Sequence, residues 1–522
     1  MQELDPAVTD LTCFKAYDIR GRLGAELNED IARRVGRAFV AALDARRVVV
    51  GRDCRESSEV LLQSCIDGLV AGGAEVIDLG LCGTEEMYFA VTHFAADGGI
   101  EVTASHNPID YNGMKLVRSG SAPLDAAKGL ARIKSLAEAD ALPVVPGGRA
   151  RKAEGARAAY VERVLSFVDA AAFRPMTILV NAGNGAAGPT FDAIATALQA
   201  RGAPLRFVRM HHDPDGSFPN GIPNPLLPEN QPATAAAVLA AGADMGVAWD
   251  GDFDRCFLFD HTGRFIPGEY IVGLLALAFL AKQPGATIIH DPRVVWNTQD
   301  VVAQAGGRAV QARTGHAFLK QALRDTGAVY GGEMSAHHYF RDFMCCDSGM
   351  IPWLLIAEMV GRSGQSLSEL VSDRMAAFPS SGEINFRLDD PGAAIGRIEA
   401  AFAAEAAARD ETDGLSLAFA DWRLNLRRSN TEPLLRLNVE ARGDQAGLEA
   451  RVAQLVALIG AAPKGAQPAD LPRQACRAAR PLRGHRHGTG LGDPGLNNGS
   501  PPRKGPRHDP RSRPLHRHPY RR

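Results

Sequence analysis

The sequence predicts an α/β chain of several domains, and three observations carry that reading. At 522 residues it is far longer than one hydrophobic core usually serves. Its body alternates short β-branched runs with Ala- and Leu-rich stretches of helical period, the rhythm of parallel α/β structure. Residues 383–459 read differently. There INFRLDD and a long Ala/Glu helix precede LSLAFADWRLNLRRSNTEPLLRLNVEAR, whose alternation fits an antiparallel sheet in a smaller α+β domain.

Taken in order, strands are expected at 46–53, 74–80, 176–183, 245–252 and 286–292. Helices are expected at 28–43, 57–73, 233–242 and 316–327. Asn28 suits an N-cap, and the acids that follow it suit the first turn, where the helix dipole favours negative charge. Polar or Gly/Pro breaks near 142–149, 260–267 and 378–382 divide the body into three similar α/β units and the α+β unit, at 1–148, 149–260, 261–378 and 379–460. From about residue 463 the text turns to Pro, Arg, Gly and His, with fourteen Lys/Arg against three Asp/Glu. The segment 461–522 is therefore expected to be a disordered basic tail, too poor in apolar side chains to offset its ordering entropy. Binding to anionic surfaces or nucleic acid is one reading of that tail, and a functionless extension is the other.

Charged residues make up 23% and hydrophobic residues 45%, ordinary for globular proteins. No apolar run of about 18 residues supports a membrane span. Residues 1–10 lack the basic and then apolar character of a signal peptide. The eight cysteines include no C-x-x-C pair, which fits reduced core thiols and a cytoplasmic protein.

Four short segments carry chemistry. Asp250, Asp252 and Asp254 stand at i, i+2 and i+4 after the apolar run MGVAW, so their oxygens are able to converge on one hard cation. An EF-hand needs Gly and Glu where Arg255 and His261 stand; carboxylates completed by a phosphate oxygen suit Mg²⁺ instead. Thr103-Ala-Ser105-His106-Asn107-Pro108 also follows an expected strand. It admits a hydrolase with His106 as base, a phosphate-carrying serine, or a plain turn. Lys115 just downstream is a candidate acid/base or phosphate clamp, or an ordinary surface lysine. Glu333, Ser335 and His337, in GEMSAHH, offer polar groups for neighbouring sugar hydroxyls. Zinc is the competing reading there, without a second ligand cluster. In RRSNTEP, Arg427, Ser429, Asn430 and Thr431 suit a phosphate cradle or a simple hairpin turn.

Together with FKAYDIRGRLG at residues 14–24, these segments resemble the α-D-phosphohexomutase superfamily, and within it the bacterial phosphomannomutases. The loops follow one another in family order to about residue 459. The resemblance implies a phosphohexomutase architecture of four domains around a central cleft. It implies Ser105 as phosphoserine and, with Asp250, Asp252 and Asp254, as a ligand of one Mg²⁺ per site. Arg255 and His106 are expected to stabilise the transferred phosphate, and Lys115 to act as acid/base. Tyr17, Arg20 and His316 match cleft residues, and Glu333, Ser335 and His337 the sugar loop. Arg427, Ser429, Asn430 and Thr431 match the loop for the phosphate that stays in place. Arg293 stands where many relatives carry Lys, which puts its substrate contact in question.

The implied reaction interconverts mannose 6-phosphate and mannose 1-phosphate through a hexose 1,6-bisphosphate, which also serves as activator, and supplies GDP-mannose synthesis. The expected partners are small hexose phosphates, with no membrane or nucleic acid, in a monomer or weak homodimer. Dual action on glucose phosphates is the nearest alternative. A phosphoglucosamine mutase, which usually shows S-G-T where Ser429-Asn430-Thr431 stands, and a phosphatase using Asp250 as nucleophile are further ones.

Overall fold

The structure is a computed structural model, and it describes residues 10–124, 129–428 and 434–464. Three sheets share one topology. In the first, Glu75–Leu81, Arg47–Arg52 and Gly98–Val102 lie side by side in parallel, and Tyr111–Arg118 then pairs antiparallel with Gly98–Val102. The second repeats this order with Leu205–Met210, Met176–Asn181 and Met245–Trp249 in parallel and Cys256–Asp260 antiparallel. The third does so with Arg308–Gln311, Thr287–His290, Tyr330–Gly332 and the antiparallel His338–Phe340. The central parallel strands are buried on both faces, as Val48, Val49 and Val50 at 0% exposure illustrate, which is why they read as nearly unbroken apolar runs. The fourth sheet is wholly antiparallel and carries the helices Pro391–Phe402 and Gln445–Ile459, as the alternation in that stretch predicts.

This repeat positions the chemistry. In each of the first three sheets the chain leaves its last parallel strand through a loop and returns antiparallel beside it. Those three loops hold Ser105, the carboxylates at 250–254, and Glu333 to His337. The first sheet continues past residue 148, because Arg149–Lys152 pairs with Glu75–Leu81; the second continues past residue 260 through Phe265–Ile266.

Helix ends follow the local signals. The Asn28 side chain accepts from the Ile31 N–H at 3.0 Å and starts Glu29–Leu43. The helices Gln231–Ala241 and His316–Thr326 stop at Gly242 and Gly327, both in the left-handed conformation that glycine tolerates. One continuous core joins the first three units, from Val49 and Tyr88 through Phe191 and Trp249 to Trp353. The fourth unit has its own, built on Phe386, Leu424, Leu437 and Leu455. The described cysteines are free, all buried except the half-buried Cys345. Among the described residues no helix is long and apolar enough to cross a membrane. The expected disordered tail lies outside the described residues from 465 onward.

Candidate active site

The hairpin between Met245–Trp249 and Cys256–Asp260 is too short to let its acids diverge. Asp250, Asp252 and Asp254 are at most 2% exposed, and one oxygen of each lies within 4.8 Å of the others. Their Oδ1 atoms are buried without a hydrogen-bond partner. Three buried carboxylates that crowd together and each keep an oxygen without a hydrogen-bond partner fit a small divalent cation. Phe253, between them at φ 45°, turns its ring onto Gly83, where a Cβ would stand 2.2 Å from the ring.

The serine loop meets this hairpin. The Ser105 hydroxyl donates to Asp250 Oδ2 at 2.8 Å and lies 3.0 Å from His106 Nδ1. Arg255 donates to the same Asp250 oxygen through Nε and Nη2 at 2.8 and 2.7 Å, and Nη2 also donates to His106 Nδ1. Burial first, and the Arg255 charge next, hold His106 well below its ordinary pKa, so the imidazole is neutral. From the second strand of the serine hairpin Lys115 reaches across, donating to Asp252 Oδ2 at 2.7 Å and Asp254 Oδ2 at 2.5 Å. Burial opposes its charge, but the two carboxylates prevail and raise its pKa. In turn Asp252 is held low despite burial, mainly by Lys115, whereas burial and then the Asp252 charge push Asp254 up to about 6. Thr84, which no sequence motif marked, donates to Asp252 Oδ2 at 2.7 Å and accepts from Lys115 at 3.2 Å.

The loop at residues 333–337 sits against the same carboxylates. His337 Nδ1 is 3.9 Å from Asp254 Oδ1 and 3.0 Å from Asp347 Oδ2. Burial disfavours its charge, but Asp254 and Asp347 raise its pKa. Lys320 is paired with Asp347 at 2.8 Å and lies 3.7 Å from the centre of the Tyr88 ring. Neither Asp347 nor Lys320 was singled out from sequence. The adjacent His338 faces the core, bonded to the Tyr330 hydroxyl at 2.7 Å. Glu333 accepts from the Gly315 N–H at 2.8 Å and from the Tyr339 hydroxyl at 2.6 Å, tying its loop to residues 313–316. His316 opens the next helix, and Tyr17 packs edge-on against it and Phe318. Arg20 bridges Asp18 and the Asn107 side chain beside the serine loop.

Arg293 is 4% exposed and held inside the protein. It donates to Asp291 at 3.0 and 2.5 Å, to Glu383 at 3.2 Å and to Ser335 Oγ at 3.4 Å. Glu383 also pairs with Arg427 at 2.9 Å and Arg436 at 3.1 Å, and with Arg293 first these hold its carboxyl down to about 2. One carboxylate thus joins the support of the loop at residues 333–337 to the fourth unit. Ser429, Asn430 and Thr431 lie outside the described residues.

Known proteins resemble this chain over most of its length. The chain matches the phosphoglucomutase/phosphomannomutase alpha/beta/alpha domains I, II and III over residues 12–142, 158–263 and 267–378, and the family's C-terminal domain over 383–458. It is 60% identical over 454 residues to a phosphomannomutase of Salmonella montevideo, covering 87% of this chain and all of that one. A protein named phosphohexose mutases from Xanthomonas campestris is 57% identical over 86% of this chain and 99% of its own. The crystal structure of a phosphoglucomutase/phosphomannomutase family protein from Burkholderia thailandensis superposes with a TM-score of 0.75 at 34% identity, covering 86% and 98% of the two chains.

Two outcomes follow from the geometry. A cation held by these three carboxylates would compete with the proton on Asp254, so Mn²⁺ affinity measured by electron paramagnetic resonance should hold above pH 6. It should weaken about tenfold per pH unit below, and Asp254→Asn should bind weakly throughout without that dependence. Glu383 has a folded pKa below its ordinary value, so its stabilisation is present above about pH 4.5 and fades as pH falls toward 2. Glu383→Gln, which leaves three guanidiniums around a neutral amide, should cost about 3 kcal/mol in denaturant unfolding at pH 7.

Proposed function

The chain belongs to the phosphoglucomutase/phosphomannomutase family and acts as a phosphomannomutase, and on that premise we propose that Ser105 carries the phosphoryl group between the two ends of one hexose phosphate. The observation that carries this reading is the contact of the Ser105 hydroxyl with Asp250, beside three carboxylates whose remaining oxygens have no partner. In the forward direction the phosphoserine P–O bond breaks as a bond forms from phosphorus to O1 of mannose 6-phosphate. The sugar hydroxyl loses its proton and the seryl oxygen regains one. The resulting 1,6-bisphosphate turns over, and the 6-phosphoryl group returns to Ser105 as mannose 1-phosphate leaves.

Asp250, Asp252 and Asp254, with a phosphoserine oxygen, are the groups to hold Mg²⁺, which when bound supplies a Lewis acid beside the transferring phosphate. Arg255 and the neutral His106 hold the transferred phosphate by donating to its oxygens. On the free enzyme the serine proton already points at Asp250 Oδ2. Lys115, kept as an ammonium, gives its proton to the departing seryl oxygen and is restored by the proton that the sugar hydroxyl loses, and the reverse reaction runs the same exchange backwards. The Glu333, Ser335 and His337 loop orients the sugar, while Arg427 with Ser429, Asn430 and Thr431 takes the phosphate at rest. The product feeds GDP-mannose synthesis in the cytoplasm.

The likeness to a protein named phosphohexose mutases favours some action on a second hexose phosphate as well, for which glucose 1-phosphate is the probe. Turnover of mannose 1-phosphate is expected to exceed that of glucose 1-phosphate; the opposite order in parallel assays would overturn the mannose assignment. Ser105→Ala, assayed with mannose 1-phosphate and a hexose 1,6-bisphosphate activator, should lose at least about a thousandfold in kcat. Mass spectrometry of the wild type should place phosphate on Ser105. Unchanged turnover, or phosphate on Asp250 instead, would refute the carrier role.

A further inference from the structure

Ser105 sits at φ 50°, a left-handed conformation that a residue other than glycine keeps only when its surroundings impose it. Those surroundings trace to one side chain. Arg55 is 2% exposed, and its Nη2 donates to the carbonyls of Ser105 at 3.1 Å and Asn107 at 2.6 Å. Its Nη1 donates to the carbonyls of Pro108 at 3.0 Å and Tyr111 at 3.2 Å. All four acceptors belong to the serine hairpin.

The amide side of Ser105 is held from the same place. Its N–H donates to Thr103 Oγ1 at 2.8 Å, and that hydroxyl donates to Asp53 Oδ2 at 2.7 Å. Asp53 Oδ1 accepts from the Arg55 N–H at 2.9 Å, so one short segment fixes Ser105 from both ends of its peptide unit. From the second unit the Phe218 ring covers the guanidinium, 5.5 Å from its carbon.

We propose that Arg55 is the positioning residue of the phosphoryl-carrying serine: its planar fork gathers the four carbonyls and so aims the Ser105 hydroxyl at the carboxylate cluster. The role rests on the carrier reading of Ser105. A lysine has the charge but is a point donor, unable to span four carbonyls in two pairs. Arg55 touches no reacting atom and acts through the backbone.

Arg55→Lys and, independently, Phe218→Leu test the assignment in the full chain. Each is to be measured for thermal unfolding, for kcat and KM with mannose 1-phosphate, and for amide hydrogen exchange of residues 103–111. For Arg55→Lys we expect kcat to fall about a hundredfold with KM changed less than about twofold. For Phe218→Leu a fall of roughly threefold is expected. In both, exchange should quicken in residues 103–111 while the neighbouring strands stay protected. A folded Arg55→Lys enzyme with kcat within twofold of wild type, or a rise in KM alone, would overturn the proposal. If Arg55→Lys does not fold, Phe218→Leu decides by the same kcat and exchange criteria. Failure of the carrier reading is separate, since it shows as an active Ser105→Ala enzyme whatever Arg55 does.

Discussion

Three carboxylates buried within 4.8 Å of one another are the constraint around which the first three units are arranged. Two like charges about 4 Å apart repel by about 4 kcal/mol even at the effective dielectric of a protein surface. No single hairpin is able to bear that alone. Lys115 from the first unit and Arg255 from the second supply two compensating charges, and Thr84 donates one further hydrogen bond. Three buried oxygens without a hydrogen-bond partner remain, which suits the holding of a cation more than ordinary packing. Because Lys115 and Thr84 come from the first unit, the carboxylate loop is complete only where the two units pack against each other.

The sheet topology makes that closure possible. In each of the first three units the loop at the switch from parallel to antiparallel pairing leaves the carboxyl end of a central strand, the part of an open α/β sheet where ligands ordinarily bind. Using the same place three times gives three loops with equivalent support. A single apolar core then fixes their relative positions, since core packing tolerates little displacement. Asp254 shows the result, lying within reach of Lys115 from the first unit and His337 from the third.

The fourth unit is attached on different terms. Its apolar core is its own, and polar groups carry much of the seam. Glu440 accepts from the Trp296 N–H at 3.2 Å, Arg423 donates to the Pro292 carbonyl at 2.9 Å, and Glu383 gathers Arg293, Arg427 and Arg436. Such a seam depends on direction and charge more than on buried area, so removing one partner strands the others. Arg427 is therefore set by a carboxylate of its own unit and, through that carboxylate, by Arg293 of the third.

What was legible in the sequence was what is contiguous in it. The alternation of strand and helix revealed the repeated units, and Asp250 to Arg255, Ser105 with His106, and Glu333 to His337 each occupy one short loop. The partners that make those loops work are single residues on distant elements. Thr84 opens a helix, Lys320 lies on another, Asp347 ends a two-residue strand, and Arg55 precedes a helix by one position. Nothing in their spacing distinguishes them from structural residues, because their roles exist only after the sheets are in place. Arg293 shows the converse. Its position in the sequence left a substrate contact in question, and the fold engages it with Asp291, Glu383 and Ser335, a fork of bonds that a lysine is unable to reproduce. A cation at that point reads the same in either form along the chain; only the direction of its donors shows that it is bound to the protein itself.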